Sequence, residues 1–374
     1  SAIAGLEAGL DPARWHEFLE HPMNRQIQGY LLTYDLIKDD APADQAAYWH
    51  DRLTRLIEAT VTTWIEPASY KHGRFSRQTS TGTNHYAYHV ANVHTAGKVL
   101  GRADWLALGA REMHLLAAHE QDGHFPERWQ VPATHYTWLT MNALGQYYWQ
   151  SGDADVLPTL QRCIVYGCHT SLPNGDATLL HDGRVNSSHP FLCGEFVLSL
   201  APQGRHLARV RTMLTISAAR RPSQGSPERW FRMAENALYY QPGPESPLPE
   251  SAEFLFLDGR GLIVRRPGFI YGLNAIAELP MGTRTYWVDP QNTVELHSTA
   301  VGPVLSAANS QDQPEAGSFC RRIDGKTSFM PAVGFIESTE VGHQAILEFD
   351  TFTIRLEIEI ASPTSARVTV RLLE

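Results

Sequence analysis

The sequence predicts a two-part α+β protein. An incomplete (α/α) toroid of helical hairpins fills residues 1–240, a linker covers 241–251, and an antiparallel β-sheet domain fills 252–374. Three observations predict it. Apolar residues recur at helical spacing through the first two-thirds of the chain. A helix, glycine, turn and second helix repeat about every 51 residues. Beyond residue 250 the apolar period drops to two.

The helices come first in chain order. In residues 45–65, Ala47, Leu53, Leu56, Ile57, Val61 and Trp64 fall on one helical face. Similar patterns predict helices at 26–37, 85–100, 105–119, 136–150, 156–168, 191–200 and 207–219. One helix is expected to end at Gly101, in Gly-Arg-Ala-Asp, and another at Gly152, in Gly-Asp-Ala-Asp. A third apolar helix is expected to end near Gly204. Glycine suits the left-handed position after a helix, and Asp104 or Asp155 would cap the helix that follows. The second helices of the first two hairpins then run into Asp122-Gly123 and Asn174-Gly175 turns. Hairpins of this length bury their faces only against neighbours, as in a ring or solenoid. The ring is the preferred reading.

After a Pro/Gly/Ser-rich break, segments beginning at Phe254, Gly261, Phe269, Ala345, Phe352 and Ala366 read as strands. The last three alternate apolar with charged or polar residues, as in an antiparallel sheet with one wet face.

The net charge is −9, and no Lys/Arg run is dense enough for a nucleic-acid groove. No run of eighteen apolar residues appears, so no membrane span is expected. The first ten residues lack the basic start and apolar stretch of a signal peptide. Cys163, Cys168, Cys193 and Cys320 include no Cys-x-x-Cys pair, and the first two read as core thiols.

Aligning the repeats brings one position forward. The first helices of successive hairpins begin at Thr83-Asn84-His85-Tyr86, Thr134-His135-Tyr136 and Ser188-His189-Pro190. Each start is a capping-type residue followed closely by His. In a ring these starts share one rim, bringing together three imidazoles, two tyrosines and an amide. The free N–H groups of the helix N-termini would suit an anion. A His at a helix start can also simply bond a loop carbonyl, and for His189 that structural reading is preferred. His89 and His94 read as packing residues. His85 and His89 are four apart but have no carboxylate beside them, so no metal site is expected. Lys71, Arg74, Arg77, Arg128 and Arg184 collect in the same loops and favour an anionic substrate. Trp129 is a candidate sugar platform, whereas Trp138 and Trp149 fall at helix-interior spacing.

On these residues the chain resembles the polysaccharide lyases with an (α/α) toroid and an antiparallel β-domain, the heparinase II/III-like and alginate lyase-like group. Asn84-His85 opening an inner helix, with a Tyr about fifty residues on, is similar to that group's catalytic pattern. The resemblance implies β-elimination on a uronic-acid polysaccharide, leaving a 4,5-unsaturated uronate end. It implies Asn84 and an Arg neutralising the substrate carboxylate, and Tyr136 as base and acid with His85 and His297 either side. His135 is the alternate. His297, in Val294-Glu-Leu-His, is the match for a His carried on the β-domain, with His343 behind it. It implies no cofactor, because the substrate's carboxylate activates the C5 proton. It also implies an anionic polysaccharide or oligosaccharide partner, and a secreted or periplasmic setting. A uronate C5-epimerase shares the proton abstraction. A hydrolase with paired carboxylates would draw on Glu127, Asp176, Asp182 and Glu195. A non-catalytic carbohydrate-binding protein is the remaining alternative.

Overall fold

The structure is a computed structural model. It describes residues 10–11, 25–65, 83–126, 134–178, 180, 193–219, 235–277, 293–305, 319, 321–323, 327–329 and 331–373. Helices dominate the N-terminal part, and antiparallel β-sheets the C-terminal part. No helix among the described residues is long and apolar enough to cross a membrane. The chain divides into two compact units, one of residues 1–120 with 136–160 and one of 121–135 with 161–374.

In the first unit, α1 (Arg25–Ile37) and α2 (Ala43–Thr60) precede α3 (Thr83–Val99), α4 (Ala103–Ala117) and α5 (Thr134–Ser151). A π-helical turn, Val61–Ile65, extends α2 and delivers Trp64. The helices differ in how they are buried. Every residue of α3 from Thr83 to Gly97 is buried, whereas α4 buries only one face, through Trp105, Gly109, Met113 and Leu116. A helix buried all round is an inner element, and an amphipathic one is an outer element. Gly97 and Gly109 let α3 and α4 pack closely as an antiparallel hairpin. A Cβ at Gly109 would stand 2.6 Å from His94 Cβ, and one at Gly97 would stand 2.5 Å from Leu106 N.

The glycine punctuation behaves as the repeat predicts at Gly101 (φ +71°) and Gly152 (φ +70°). The caps differ. Asp153, not Asp155, accepts the N–H of Asp155 at 3.0 Å. Asp104 makes no cap for α4, whose N-cap residue is Arg102. Asp104 is instead held by the Arg102 guanidinium at 2.7 Å. The third repeat also departs. Of the helix expected at 191–200, residues 193–200 are described and form only the short α7 (Glu195–Leu198). Gly204 lies inside α8 (Pro202–Ala219) rather than after a helix, because Pro202 is preset for a helix start. Gly204 serves close packing there, with Leu198 O 2.1 Å from where a Cβ would stand.

In the second unit, α6 (Leu157–His169) contributes its residues from 161 onward. Five strands form an antiparallel meander: β1 (Ala252–Phe256), β2 (Gly261–Arg266), β3 (Phe269–Asn274), β4 (Val294–Ser298) and β5 (Gly302–Leu305). After the small hairpin β6 (Arg321–Ile323) and β7 (Thr327–Phe329), a second sheet holds β8 (Val333–Ser338), β9 (Gly342–Glu348), β10 (Thr353–Ser362) and β11 (Ser365–Leu373). β5 to β8 have no counterpart among the predicted strands; they are short or weakly alternating.

Alternation sorts the side chains. Val264, Tyr271 and Leu296 stand in one cross-strand row and pack on Ala345, Leu347 and Leu356 of the second sheet. The opposite face presents Phe256, Ile263 and Ile270 to Tyr166 of α6. The β1–β2 turn is left-handed at Leu257, Asp258 and Gly259. Asp122 Oδ2 steadies it by accepting the Leu257 N–H at 2.9 Å.

Candidate active site

Two hydrogen bonds set the register of α3 and α5, both buried along most of their length. Tyr88 Oη on α3 donates to Asn142 Oδ1 on α5 at 2.8 Å, and Thr95 Oγ1 donates to Gln150 Oε1 at 2.7 Å. The partners rise together along both chains, so α3 and α5 run parallel. With an offset of about 54 residues and 1.5 Å per residue, Tyr136 stands within about 5 Å of the level of Asn84 and His85 along the helix axis. The first turns of two inner helices therefore lie side by side, in line with the sequence repeat.

Asn84 and His85 open α3 and are both buried. Asn84 Nδ2 has no hydrogen-bond partner among the described residues. A buried amide donor left unpaired costs about 1–3 kcal/mol, a cost that an incoming carboxylate oxygen would relieve. Tyr136 on the first turns of α5 is half-buried. The side chain of His135 is not described. Arg74, Arg77, Arg128, Trp129, Arg184 and His189 lie outside the described residues, as do Lys71, Glu127 and Asp182.

Tyr86 does not join this group. Its hydroxyl donates to Glu112 Oε2 on α4 at 2.5 Å, and burial with that carboxylate raises its pKa. The two tyrosines expected on one rim are thus separated by the direction in which the α3 residue points. His89, one turn below His85, stacks on Trp64 with ring centroids 5.1 Å apart. Burial, and the neighbouring His85, push His89 down to about 3, so it is a neutral packing residue at ordinary pH. His94 packs edge-on against Tyr147 at 4.7 Å.

In the second unit, His297 is half-buried on β4, opposite Ile270 on β3 and Pro303 on β5. It shares a small cavity with Leu172, Thr178 and Leu180. Burial lowers its pKa, and the Asp176 carboxylate pulls it partly back. Its Nδ1 has no hydrogen-bond partner among the described residues. His343 belongs to the interior of the β-sandwich, with its Nδ1 2.7 Å from Tyr271 Oη.

The two described carboxylates of the hydrolase alternative, Glu195 and Asp176, are differently employed. Glu195 is buried and receives Arg211 Nε at 3.0 Å and Asn236 Nδ2 at 3.0 Å. Asp176 accepts from Asn174 Nδ2 at 2.7 Å within the turn around Gly175. One cluster of side chains with closely spaced potential ligand atoms is not singled out by the sequence. His114, Asp153 and Asp155 are the one group among the described residues that can hold a metal ion. His114 Nε2 lies 2.6 Å from Asp153 Oδ2, which also accepts the Tyr147 hydroxyl at 2.5 Å. Asn142 also went unrecognised, although a legible signal existed: a polar residue in a helix whose neighbours are all core-forming.

No family model and no curated protein matches the chain. Solved structures do. A heparinase III aligns with a TM-score of 0.57 at 11% identity, over 96% of this chain and 54% of that chain. The chondroitin AC lyase of Streptomyces coelicolor A3, in complex with chondroitin sulphate, aligns with a TM-score of 0.45 at 15% identity, over 88% of this chain and 53% of that one. This chain thus spans about half the length of the structures it matches. At these identities the likeness is one of fold: a helical part followed by antiparallel sheets, shared with the polysaccharide lyase heparinase III.

Proposed function

We propose that this chain is a polysaccharide lyase that cleaves a uronic-acid polymer by β-elimination, with Asn84, His85 and Tyr136 at its reacting centre. The observation that carries the reading is Asn84: a buried amide whose Nδ2 has no partner among the described residues, beside His85 on the first turn of α3, in parallel register with Tyr136. The fold shared with heparinase III supports it.

A uronate carboxylate activates its C5 proton poorly while it carries a full negative charge. Hydrogen bonds from Asn84, aided by the partial positive charge of the α3 N-terminus, draw that charge toward the carboxylate oxygens. Tyr136, as phenolate, takes the C5 proton, and the electron pair moves into an enolate. The pair then forms the C4–C5 double bond as the C4–O bond breaks. The leaving oxygen takes the proton back from Tyr136. His85 stands beside this path and orients the sugar. The substrate is an anionic polysaccharide or oligosaccharide, met in a secreted or periplasmic setting.

The test is a screen of glucuronan, alginate, hyaluronan, chondroitin and heparan, read by the ultraviolet absorbance of a 4,5-unsaturated uronate. Wild type is expected to produce that signal on at least one polymer, and Tyr136→Phe to lose it while still binding the polymer. No rise on any of the five would sink the reading. A His297→Ala variant in the same screen tests the role that the resemblance assigns to the β-domain histidine.

A further inference from the structure

The β-sandwich of the second unit opens at one end into a cavity of about 460 Å3. That is the size of a small-molecule site, roughly 300–1,000 Å3. Its polar wall follows from strand register. Glu253 on β1 and Tyr271 on β3 each pair with Val264 of β2, so they share a face, and Arg266 joins that face two residues along. His343 on β9 lies in the inner row with Ala345 and Leu347. Deeper in the sandwich these rows are apolar. At the cavity both turn polar.

The four side chains form one connected line. Tyr271 Oη and His343 Nδ1 are 2.7 Å apart, and His343 Nε2 lies 3.6 Å from Glu253 Oε2. Glu253 in turn is ion-paired and hydrogen-bonded to Arg266. Tyr271 and His343 are only 3% and 5% exposed. Buried polar groups at a sheet–sheet contact cost free energy that Leu or Val in the same rows would not. Packing alone gives them no reason to be there.

The composition of the walls selects the ligand class. The Arg266 guanidinium is already ion-paired to Glu253, a second carboxylate, Glu340, also lines the cavity, and burial holds the pKa of His343 down. An anion is therefore disfavoured. Apolar contact comes from Pro267, Val341, Ile360 and Pro363, interleaved with polar groups, which suits a molecule with C–H faces between hydroxyls rather than a lipid tail. What remains is an uncharged molecule with several hydroxyls that can both donate and accept.

We propose that this cavity is a binding site for a neutral saccharide unit, held by hydroxyl hydrogen bonds to the Glu253–Arg266 pair and to His343. The site stands independently of the lyase reading, since it requires neither a uronate nor turnover. Calorimetric titration of the full chain with cellotriose, maltotriose, mannotriose and xylotriose tests it. At least one is expected to bind at millimolar concentration or below. Glu253→Gln keeps the shape and removes the charged acceptor, and should weaken that binding by about tenfold. Ser338→Trp, at an exposed position on the rim, should abolish it by filling the mouth. Thermal unfolding curves confirm that each variant is folded; should Glu253→Gln unfold, Ser338→Trp carries the test. Failure of all four trisaccharides to bind would overturn the proposal. So would binding that survives Ser338→Trp, or a uronate trisaccharide displacing the neutral one from this cavity at equal affinity.

Discussion

Tyr88 donates its hydroxyl to Asn142 Oδ1 at 2.8 Å, and this bond between two inner helices holds the starts of α3 and α5 in parallel register. Asn142 Oδ1 also receives Gln146 Nε2 at 3.3 Å, so one buried amide gathers polar groups from both helices. Asn142→Leu would leave the Tyr88 hydroxyl without this acceptor inside the helical core. The expected loss is about 1–3 kcal/mol of stability, read as a lower urea midpoint with an unchanged slope. Tyr88→Phe should cost less, because Asn142 retains Gln146.

At the helix starts, Asn84→Ala removes a donor that has no partner among the described residues. Stability should hold or rise slightly, whereas turnover on the best polymer from the screen should drop by about 100-fold or more. A variant that lost stability and kept its turnover would assign Asn84 to packing. The same assay on Tyr136→Phe should show turnover falling at least as far with KM little changed.

His89 makes stability depend on pH. Its folded-state pKa of about 3 lies below the ordinary value of 6.5. Between those values the unfolded chain binds a proton that the folded chain refuses. The contribution is therefore complete above about pH 6.5 and is lost as the pH falls toward 3, at up to about 1.4 kcal/mol per pH unit. His89→Leu should flatten that slope when urea unfolding is measured at pH 7 and pH 5. An identical slope in the variant would mean that His89 does not carry the effect.

Glu195 and Arg211 are each 1% exposed and 3.0 Å apart. Removing one partner of such a pair strands the other's charge, at about 3–5 kcal/mol. Arg211→Met should therefore lower the thermal midpoint strongly. Glu195→Gln, which keeps the Asn236 contact geometry, should cost stability while the folded fraction retains full turnover on polyuronates. Loss of turnover in a fully folded Glu195→Gln protein would instead favour the hydrolase alternative.

Much of the fold was legible in local periodicity. The described helices from α1 to α6 lie within a few residues of their predicted positions, because an apolar period of 3.6 is a property of the chain itself. Gly101 and Gly152 adopt the left-handed conformation for the same local reason. The described residues 193–200 form no more than one helical turn, because their apolar side chains are buried on several sides and so give a helical pattern without a long helix. The caps were misplaced by two residues, since Asp153 and Asp155 carry the same chemistry and only geometry selects between them.

The candidate site divides along the same line. By itself the sequence determined that Asn84, His85 and Tyr136 begin successive repeats, and that strands follow the helices, since both are matters of period and spacing along the chain. Only the tertiary structure decided that α3 and α5 run parallel in register through Tyr88 and Asn142. It alone turned Tyr86 toward Glu112, and it alone left the Asn84 amide buried without a partner among the described residues. Those outcomes depend on which residues meet across the packed helices, and that is set by contacts between segments far apart in the chain, which no local period encodes.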